Sequence, residues 1–240
     1  MRANNYDFIP LKWDSDYFGV SCARVNLTGT INKLEKEDII KLCNAYDFVT
    51  ISNLDNNKLN NHWIGIETNA FLVDMNIQFI KELTCRKEYK KSNGYIVNNF
   101  PGNEQLLDIA KRSFKYSRFF NDPKLPVEKA SLIYNIWTEG AFEKEDKFFV
   151  INEKDGVISG FILFRIDGDC GIIELISVDE KYQKQNIGKT LIESMECFLF
   201  ERQIYKIKVG TQADNISAMK FYIRVGFRIV SCNSIYHLWK

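Results

Sequence analysis

The sequence predicts a mixed α/β (α+β) fold, with a central sheet flanked by helices and a smaller α/β region ahead of it. Two observations support this: short segments alternate apolar and polar residues, and amphipathic segments with helical spacing lie between them. A length of 240 residues suffices for one large domain or two small ones.

The N-terminal part contains one predicted helix and two predicted strands. Apolar residues in Lys36–Ala45 follow helical spacing, which predicts a helix. Phe48–Ile51 is β-branched and apolar, and Phe71–Phe79 alternates as a half-buried strand does. The polar stretch Asp55–Asn61 is either a loop or the start of a helix.

A polar run, Lys87–Asn93, interrupts the apolar pattern and predicts a boundary between two domains, residues 1–92 and 93–240. After it the pattern predicts the order β-α-α-β-β-β-α-β-α-β. These elements are Tyr95–Val97, Glu104–Tyr116, Lys129–Phe142, Lys147–Ile151, Gly156–Ile166, Ile173–Val178, Lys189–Arg202, Ile204–Thr211, a helix from Ala218, and a final strand.

Composition excludes several classes of function. The 32 basic and 31 acidic residues nearly cancel, so we expect no nucleic-acid or membrane partner. No apolar run reaches the roughly 20 residues of a membrane span, and the N-terminus lacks a signal-peptide core. Six dispersed cysteines without a Cys-x-x-Cys pair, and only two histidines, predict reduced thiols in a cytoplasmic protein without a metal site.

One C-terminal segment has the features of a phosphate site. The strand ending at Val178 leads to a loop, Gln183–Gly188, and then to an amphipathic segment. Backbone N–H groups of such a loop, at the N-terminus of a helix, suit a bound pyrophosphate. Tyr222 follows later in the chain and could move a proton.

These residues resemble the Gcn5-related N-acetyltransferase (GNAT) superfamily, whose acyl-CoA loop reads Arg/Gln-x-x-Gly-x-Gly/Ala. Gln183-x-x-Asn186-x-Gly188 matches it except at Asn186, and asparagine is the non-glycine residue that best tolerates positive φ. The resemblance implies acyl-CoA as co-substrate. It would be held by Ile176, Val178, Gln183, Lys184, Asn186, Ile187, Gly188, Lys189 and Asn215.

Three separated segments resemble a narrower family, the dTDP-fucosamine (WecD-like) acyltransferases. They are Leu11–Val20, Ser117–Pro123 followed by Tyr134 and Trp137, and Gly210–Asn215 through Tyr222. The resemblance implies N-acylation of a dTDP-linked amino-dideoxyhexose for bacterial surface polysaccharide. It also implies that both domains enclose the sugar nucleotide.

The chemistry requires a proton for the departing thiolate and an unprotonated amine. Tyr222 is the candidate general acid, because a phenol beside the sulfur can donate its proton; its alternative is a packing role. Asp74 and Glu174 are the candidate bases, with a slight preference for Asp74. Each could instead be a surface or hydrogen-bonded structural residue, and the amine could lose its proton to water.

Substrate contacts rest on the narrower resemblance. Trp13, Tyr17 and Phe18 offer a flat apolar surface for a thymine or hexose, although Trp13 and Phe18 could equally be core residues of the first strand. Arg118 could pair with the nucleotide diphosphate, and its alternative is a surface salt bridge.

The sequence therefore predicts a direct, ternary-complex N-acyltransferase, since no cysteine has an obvious nucleophile setting. It leaves open the acyl group (acetyl or a hydroxyacyl such as 3-hydroxybutyryl), the 3- or 4-position of the amine, and formation of a homodimer. Two alternatives remain: a GNAT enzyme acting on a protein N-terminus or small amine, and a non-catalytic domain that binds acyl-CoA, which only Asn186 supports.

Overall fold

The computed structural model describes residues 4–84 and 94–240. Within these ranges the strands are β1 Tyr6–Pro10, β2 Cys22–Leu27, β3 Phe48–Asn53, β4 Phe71–Glu82, β5 Gly94–Asn98, β6 Lys147–Lys154, β7 Val157–Asp167, β8 Cys170–Val178, β9 Lys206–Gln212 and β10 Arg228–Trp239. The helices are α1 Lys12–Phe18, α2 Lys33–Cys43, α3 Lys58–Glu67, α4 Glu104–Ser113, α5 Val127–Glu139, α6 Ile187–Glu201 and α7 Ile216–Arg224. Two single-turn 3₁₀ helices are Leu54–Asn56 and Glu180–Tyr182.

All ten described strands belong to one mixed sheet, in the order β1-β2-β3-β10-β4-β9-β8-β7-β6-β5. The pairs β2–β3 and β8–β9 are parallel, and the other neighbouring pairs are antiparallel. The predicted fold class is confirmed, and the order of elements from β5 to β10 is the one that the apolar pattern predicts.

Helices cover both faces of the sheet. In the N-terminal half, α2 and α3 pack on one face through a cluster that includes Val25, Ile39 and Ile64, and α1 and α5 pack on the other. In the C-terminal half, α6 and α7 share a cluster with Phe79, Leu191 and other buried residues, while α4 packs on a separate cluster. The sheet is therefore the middle layer of three.

Local chemistry explains where the N-terminal helices begin. Asn32 and Glu35 form a capping box at the start of α2, so two otherwise unpaired N–H groups are satisfied. The side chain of Asn57 accepts hydrogen bonds from Leu59 and Asn60 at the start of α3. The predicted loop or helix start at Asp55–Asn61 thus contains the beginning of a helix.

Two features differ from the sequence-based expectations. Trp13 and Phe18, considered as core residues of a first strand, lie on the helix α1, which ends at Gly19 in the left-handed region with φ 76°. The strands β1 and β2 and the helix α1 were not predicted, whereas the predicted final strand, β10, pairs with β3 and β4 from the opposite end of the chain.

The expected boundary between residues 92 and 93 lies outside the described residues. The strand β4 precedes this boundary in the sequence, yet in the sheet it lies between β10 and β9, two strands that follow the boundary. Backbone hydrogen bonds therefore connect the two parts in one sheet, and the division into two domains stays a prediction. None of the helices in the described ranges has the length and apolar character needed to cross a membrane.

Candidate active site

The site begins where two parallel strands separate. β8 and β9 pair only from Cys170–Lys206 to Ile173–Val209, while Val178 is still paired with β7. A cavity of about 1350 Å³ opens at the separation. Two of its lining residues, Tyr222 and Gln212, lie on opposite faces of the sheet.

The separation leaves backbone N–H groups of β8 directed into the gap. The N–H of Asp179 donates to the carbonyl of Ser159 on β7, at 2.9 Å. Because N–H directions alternate along a strand, those of Ile176 and Val178 point away from β7. Both residues line the large cavity, and both were predicted to contact acyl-CoA.

The predicted CoA loop forms one end of this cavity. Lys184 and Asn186 adopt positive φ values of 61° and 62°, so the expected backbone conformation at Asn186 is confirmed. The first helical hydrogen bond of α6 runs from the N–H of Thr190 to the carbonyl of Asn186, at 3.0 Å, and Asn186 supplies no side-chain cap. The N–H groups of Ile187, Gly188 and Lys189 precede that bond and present the positive end of the helix.

Two further loop residues line the same cavity and have defined local roles. Gln183 donates a long hydrogen bond of 3.4 Å to the carbonyl of Val178, which holds the loop against β8. A Cβ at Gly188 would lie 3.1 Å from the ring of Phe221, so a side chain there would displace that ring. Asn215 caps α7 by accepting a hydrogen bond from Ala218, and it also lines the cavity.

Tyr222 lies in the wall of the large cavity and is only 3% exposed. Its ring packs against Phe79 and Phe227, with centroid distances of 5.3 and 5.6 Å. Burial raises the pKa of the phenol above its ordinary value, so the hydroxyl keeps its proton at neutral pH. A protonated phenol is the form that a general acid requires.

A second, polar cavity of about 240 Å³ lies on the opposite face of the sheet. Strand registers explain its floor: directly paired residues share a face, and one paired row runs Asn26–Ser52–Ile235–Asp74 across four strands. A second row is Asn233–Asn76–Gln212. Asp74 and Phe79 are an odd number of residues apart on β4, which places Asp74 on the face opposite Tyr222.

Asp74 lies where the two cavities approach each other. Burial raises the pKa of its carboxyl to about 6; Arg118 opposes this rise, and so does a hydrogen bond with the side chain of Gln212, while Asp214 adds to it. Gln212 lines both cavities. A carboxylate with a pKa near 6 is a suitable proton acceptor at neutral pH.

Glu174 also lines the large cavity, but its carboxylate is engaged by two cations. It lies 2.5 Å from Lys147 and 3.3 Å from Arg165. These two ion pairs give the Glu174 carboxylate a structural role in joining β8 to β6 and β7. The two candidate bases thus differ in their surroundings, and the choice of Asp74 over Glu174 stays a prediction.

The aromatic residues predicted to contact substrate come together, although they do not line either described cavity. Trp13 stacks on Tyr17 at 5.0 Å, and the Tyr17 hydroxyl donates to the carbonyl of Lys129. Phe18 is buried against Phe119. None of the three lines either described cavity, so their stacking on a substrate stays a prediction. Arg118, in contrast, lines the polar cavity.

Sequence reasoning missed several residues of the site. Arg24 lines the polar cavity with Asn26, and alternation with buried Ala23, Val25 and Leu27 was the signal that could have placed both on one face. The ion pair between Lys81 and the buried carboxylate of Glu196, in the wall of the large cavity, joins β4 to α6 and has no local signature.

Sequence reasoning also missed a buried histidine–aspartate pair. His237 Nδ1 lies 2.6 Å from a carboxylate oxygen of Asp122, which also accepts a hydrogen bond from the indole of Trp239 at 2.8 Å. Burial lowers the pKa of His237, so the ring is neutral near pH 7. The three side chains fix the segment that carries Arg118 against β10.

Comparison with known proteins identifies relatives of this chain. The sequence profile of the acetyltransferase (GNAT) family matches residues 104–227, just over half of the chain. The spore coat polysaccharide biosynthesis protein SpsD of Bacillus subtilis (strain 168) is 26% identical over 140 residues, which are 58% of this chain and 48% of that protein. The uncharacterized protein YxbD of the same organism is 31% identical over 114 residues, 48% of this chain and 65% of that protein. The chain thus spans less than two-thirds of either relative.

Solved structures share the fold. A GCN5-related N-acetyltransferase from Sphaerobacter thermophilus superposes with a TM-score of 0.59 at 12% identity, covering 98% of this chain and 76% of that one. A functionally unknown conserved protein from Staphylococcus epidermidis ATCC 12228 gives 0.64 at 10% identity, covering 100% and 93%. At such identities the likeness concerns the fold alone.

Proposed function

This chain belongs to the acetyltransferase (GNAT) family, and we propose that it transfers an acyl group from acyl-CoA to the amino group of a dTDP-linked 3- or 4-amino-dideoxyhexose. The observation that carries the proposal is the cavity at the separation of β8 and β9, with a helix N-terminus at one end and the polar pocket beyond Gln212. A donor and an acceptor bound on opposite faces of the sheet would meet in that gap.

The donor would bind first through its pyrophosphate, at the N–H groups of Ile187, Gly188 and Lys189. Lys184 lines the same cavity and adds positive charge. The pantetheine arm would follow the gap past Asn215, and the thioester carbonyl would meet the N–H groups of β8. One such donor aimed at the developing oxyanion is worth about 3–4 kcal/mol of barrier.

The acceptor amine would approach from the polar pocket. Its nitrogen attacks the thioester carbon, and the proton that it loses passes to Asp74. The tetrahedral intermediate then expels the thiolate, to which Tyr222 donates its phenolic proton. The C–N bond is formed and the C–S bond broken without a covalent enzyme intermediate, because both substrates are present together.

Two observations support an amino sugar as the acceptor. The relative SpsD is named for spore coat polysaccharide biosynthesis, and the polar pocket has a floor of hydroxyl and amide side chains such as Asn26, Ser52 and Asn76. Such side chains form hydrogen bonds with the hydroxyl groups of a hexose. The product would serve the synthesis of a bacterial surface polysaccharide.

The test is release of CoA thiol from acetyl-CoA and 3-hydroxybutyryl-CoA, with dTDP-linked 3- and 4-amino-dideoxyhexoses as acceptors. We expect turnover with one acyl-CoA and one amino position, and mass spectrometry should detect the N-acylated sugar nucleotide. Peptides with a free N-terminus and polyamines are the control acceptors. Turnover with those controls, and none with any dTDP-amino sugar, would contradict the proposal.

A further inference from the structure

We propose that Arg24 and Arg118 form an anion-binding site in the polar pocket, and that this site holds an acidic group of the acceptor. The inference deepens the proposed function, because it makes the acceptor both an amine and an acid. It concerns the face of the sheet opposite the predicted CoA loop, and Arg24 belongs to none of the motifs found in the sequence.

Two arginines, Arg24 and Arg118, lie together in the wall of the polar pocket. Burial lowers the pKa of the Arg118 guanidinium, and the nearby charge of Arg24 lowers it further. In the described part of the chain, neither guanidinium forms an ion pair with a carboxylate. Two neighbouring cations in a partly desolvated pocket repel each other, and a bound anion removes that repulsion.

Arg118 also carries a hydrogen-bond donor that no described residue uses. The Nε–H of Arg118 is buried and has no hydrogen-bond partner among the residues that the structure describes. The guanidinium stacks on the ring of Phe119, with 4.3 Å between Cζ and the ring centroid, and this contact fixes its plane. An oriented guanidinium with a free donor edge suits the two oxygens of a phosphate or carboxylate.

The nearby carboxylates among the described residues, Asp14 and Asp74, do not form ion pairs with the two arginines and so do not take the place of a bound anion. Asp14 and Asp74 attract Arg118 over a longer distance, and burial raises the pKa of both carboxyls. Their positions instead suit a ligand that carries charges of both signs. The acidic group would lie between the two arginines, and the amine would face Asp74 on the same floor of the sheet.

The location assigns the anion to the acceptor. The CoA pyrophosphate has its own predicted place at the N-terminus of α6, in the large cavity, whereas Arg24 and Arg118 line the polar pocket only. The two cavities share Gln212 in their walls. An acceptor anchored by the arginines would therefore extend its amine toward the gap where the thioester lies.

The acidic group has two chemical sources, the diphosphate of a nucleotide sugar or a carboxylate on the sugar ring. Isothermal titration calorimetry of the full chain, saturated with CoA so that the helix N-terminus is occupied, separates them. The probes are dTDP, inorganic pyrophosphate and glucuronate. We expect the wild type to bind one of two classes of probe. If the acidic group is the diphosphate, dTDP and pyrophosphate bind; if it is a sugar carboxylate, only glucuronate binds.

The variants Arg24→Gln and Arg118→Gln should each weaken that binding at least ten-fold, and Arg24→Lys should restore part of it because the charge returns. The matched control is Arg228→Gln, since Arg228 is exposed, is paired with Glu82 at 3.0 Å and lines neither cavity. Thermal unfolding of each variant checks that it is folded. If Arg118→Gln does not fold, comparison of Arg24→Gln with Arg24→Lys still tests whether the charge at this position is needed for binding.

Absence of binding by all three probes would overturn the inference, and so would equal affinity of the wild type and the Arg24→Gln variant. This outcome is separate from that of the proposed function. If dTDP binds through the arginines while no dTDP-amino sugar is acylated, the anion site stands and the proposed reaction is wrong.

Discussion

At the scale of residues, Tyr222 and Asp74 owe their raised pKa values to the same cause, removal of the side chain from water. The consequences differ. The raised pKa keeps the phenol of Tyr222 protonated at neutral pH, whereas it brings the pKa of the Asp74 carboxyl close to neutral pH. Sequence reasoning could propose Tyr222 as a candidate general acid from the motif around it. It could not identify the partnership of Arg24 with Arg118, because β2 and the segment before α5 meet only in the folded chain.

Replacing the proposed acid tests its role directly. Tyr222→Phe keeps the ring that packs on Phe79 and Phe227, so the protein should fold normally. We expect kcat to fall by about 10² or more, the typical contribution of a general acid, with little change in acetyl-CoA affinity. Steady-state kinetics and calorimetry measure the two quantities. The exposed Tyr205→Phe variant is the control, and unchanged kcat in Tyr222→Phe would remove the assignment.

The pH dependence of kcat/KM distinguishes the two candidate bases. A base must be deprotonated to act, so with a pKa of about 6 for Asp74 the rate should fall about ten-fold per pH unit below that value. The Asp74→Asn variant should lose this acidic limb of the pH profile and most of its activity. Glu174→Gln should retain the limb, because that carboxylate is engaged by Lys147 and Arg165. A limb that Asp74→Asn keeps would contradict the assignment.

At the scale of elements, local signals sufficed from β5 to β10 and, before them, for α2, β3 and β4, but they missed β1, α1 and β2. The order after Gly94 follows from apolar periods and turn residues that lie close together in sequence. The strand β2 is short and carries Arg24 and Asn26 on its polar face, so its apolar signal is weak. The final strand is bordered by partners more than 140 residues away, and no local pattern specifies such pairing.

The loop before α6 has a backbone conformation that substitution at Asn186 can test. Asn186 has φ 62°, where a β-branched side chain costs on the order of 1–3 kcal/mol. We expect Asn186→Gly to bind acetyl-CoA at least as tightly as the wild type. Asn186→Val should bind it about ten-fold more weakly, since ten-fold corresponds to about 1.4 kcal/mol. Gln185→Val, one residue earlier, is the calorimetric control, and equal affinity of both valine variants would show that the backbone conformation is unimportant.

At the scale of the whole molecule, one sheet connects the two regions that the sequence divides. The donor would use the C-terminal half and the acceptor the polar floor formed mainly by β2, β3, β4 and β10. Since β4 lies between β10 and β9, the spacing between the two cavities depends on continuous backbone pairing. The break near Lys87–Asn93 could be seen in composition, but composition does not reveal that the chain returns across it.

Continuity of the sheet predicts that the chain unfolds in one transition. Trp63→Ala creates a cavity in the N-terminal half and Leu191→Ala in the C-terminal half, and both residues are fully buried. Such changes cost about 3–5 and 2–5 kcal/mol respectively. We expect each to lower the midpoint of the same single calorimetric transition, with equal calorimetric and van't Hoff enthalpies. The exposed Leu34→Ala variant should leave the midpoint almost unchanged. Two transitions, each moved by only one of the variants, would instead establish two independent domains, because backbone pairing through β4 would then be too weak to couple them.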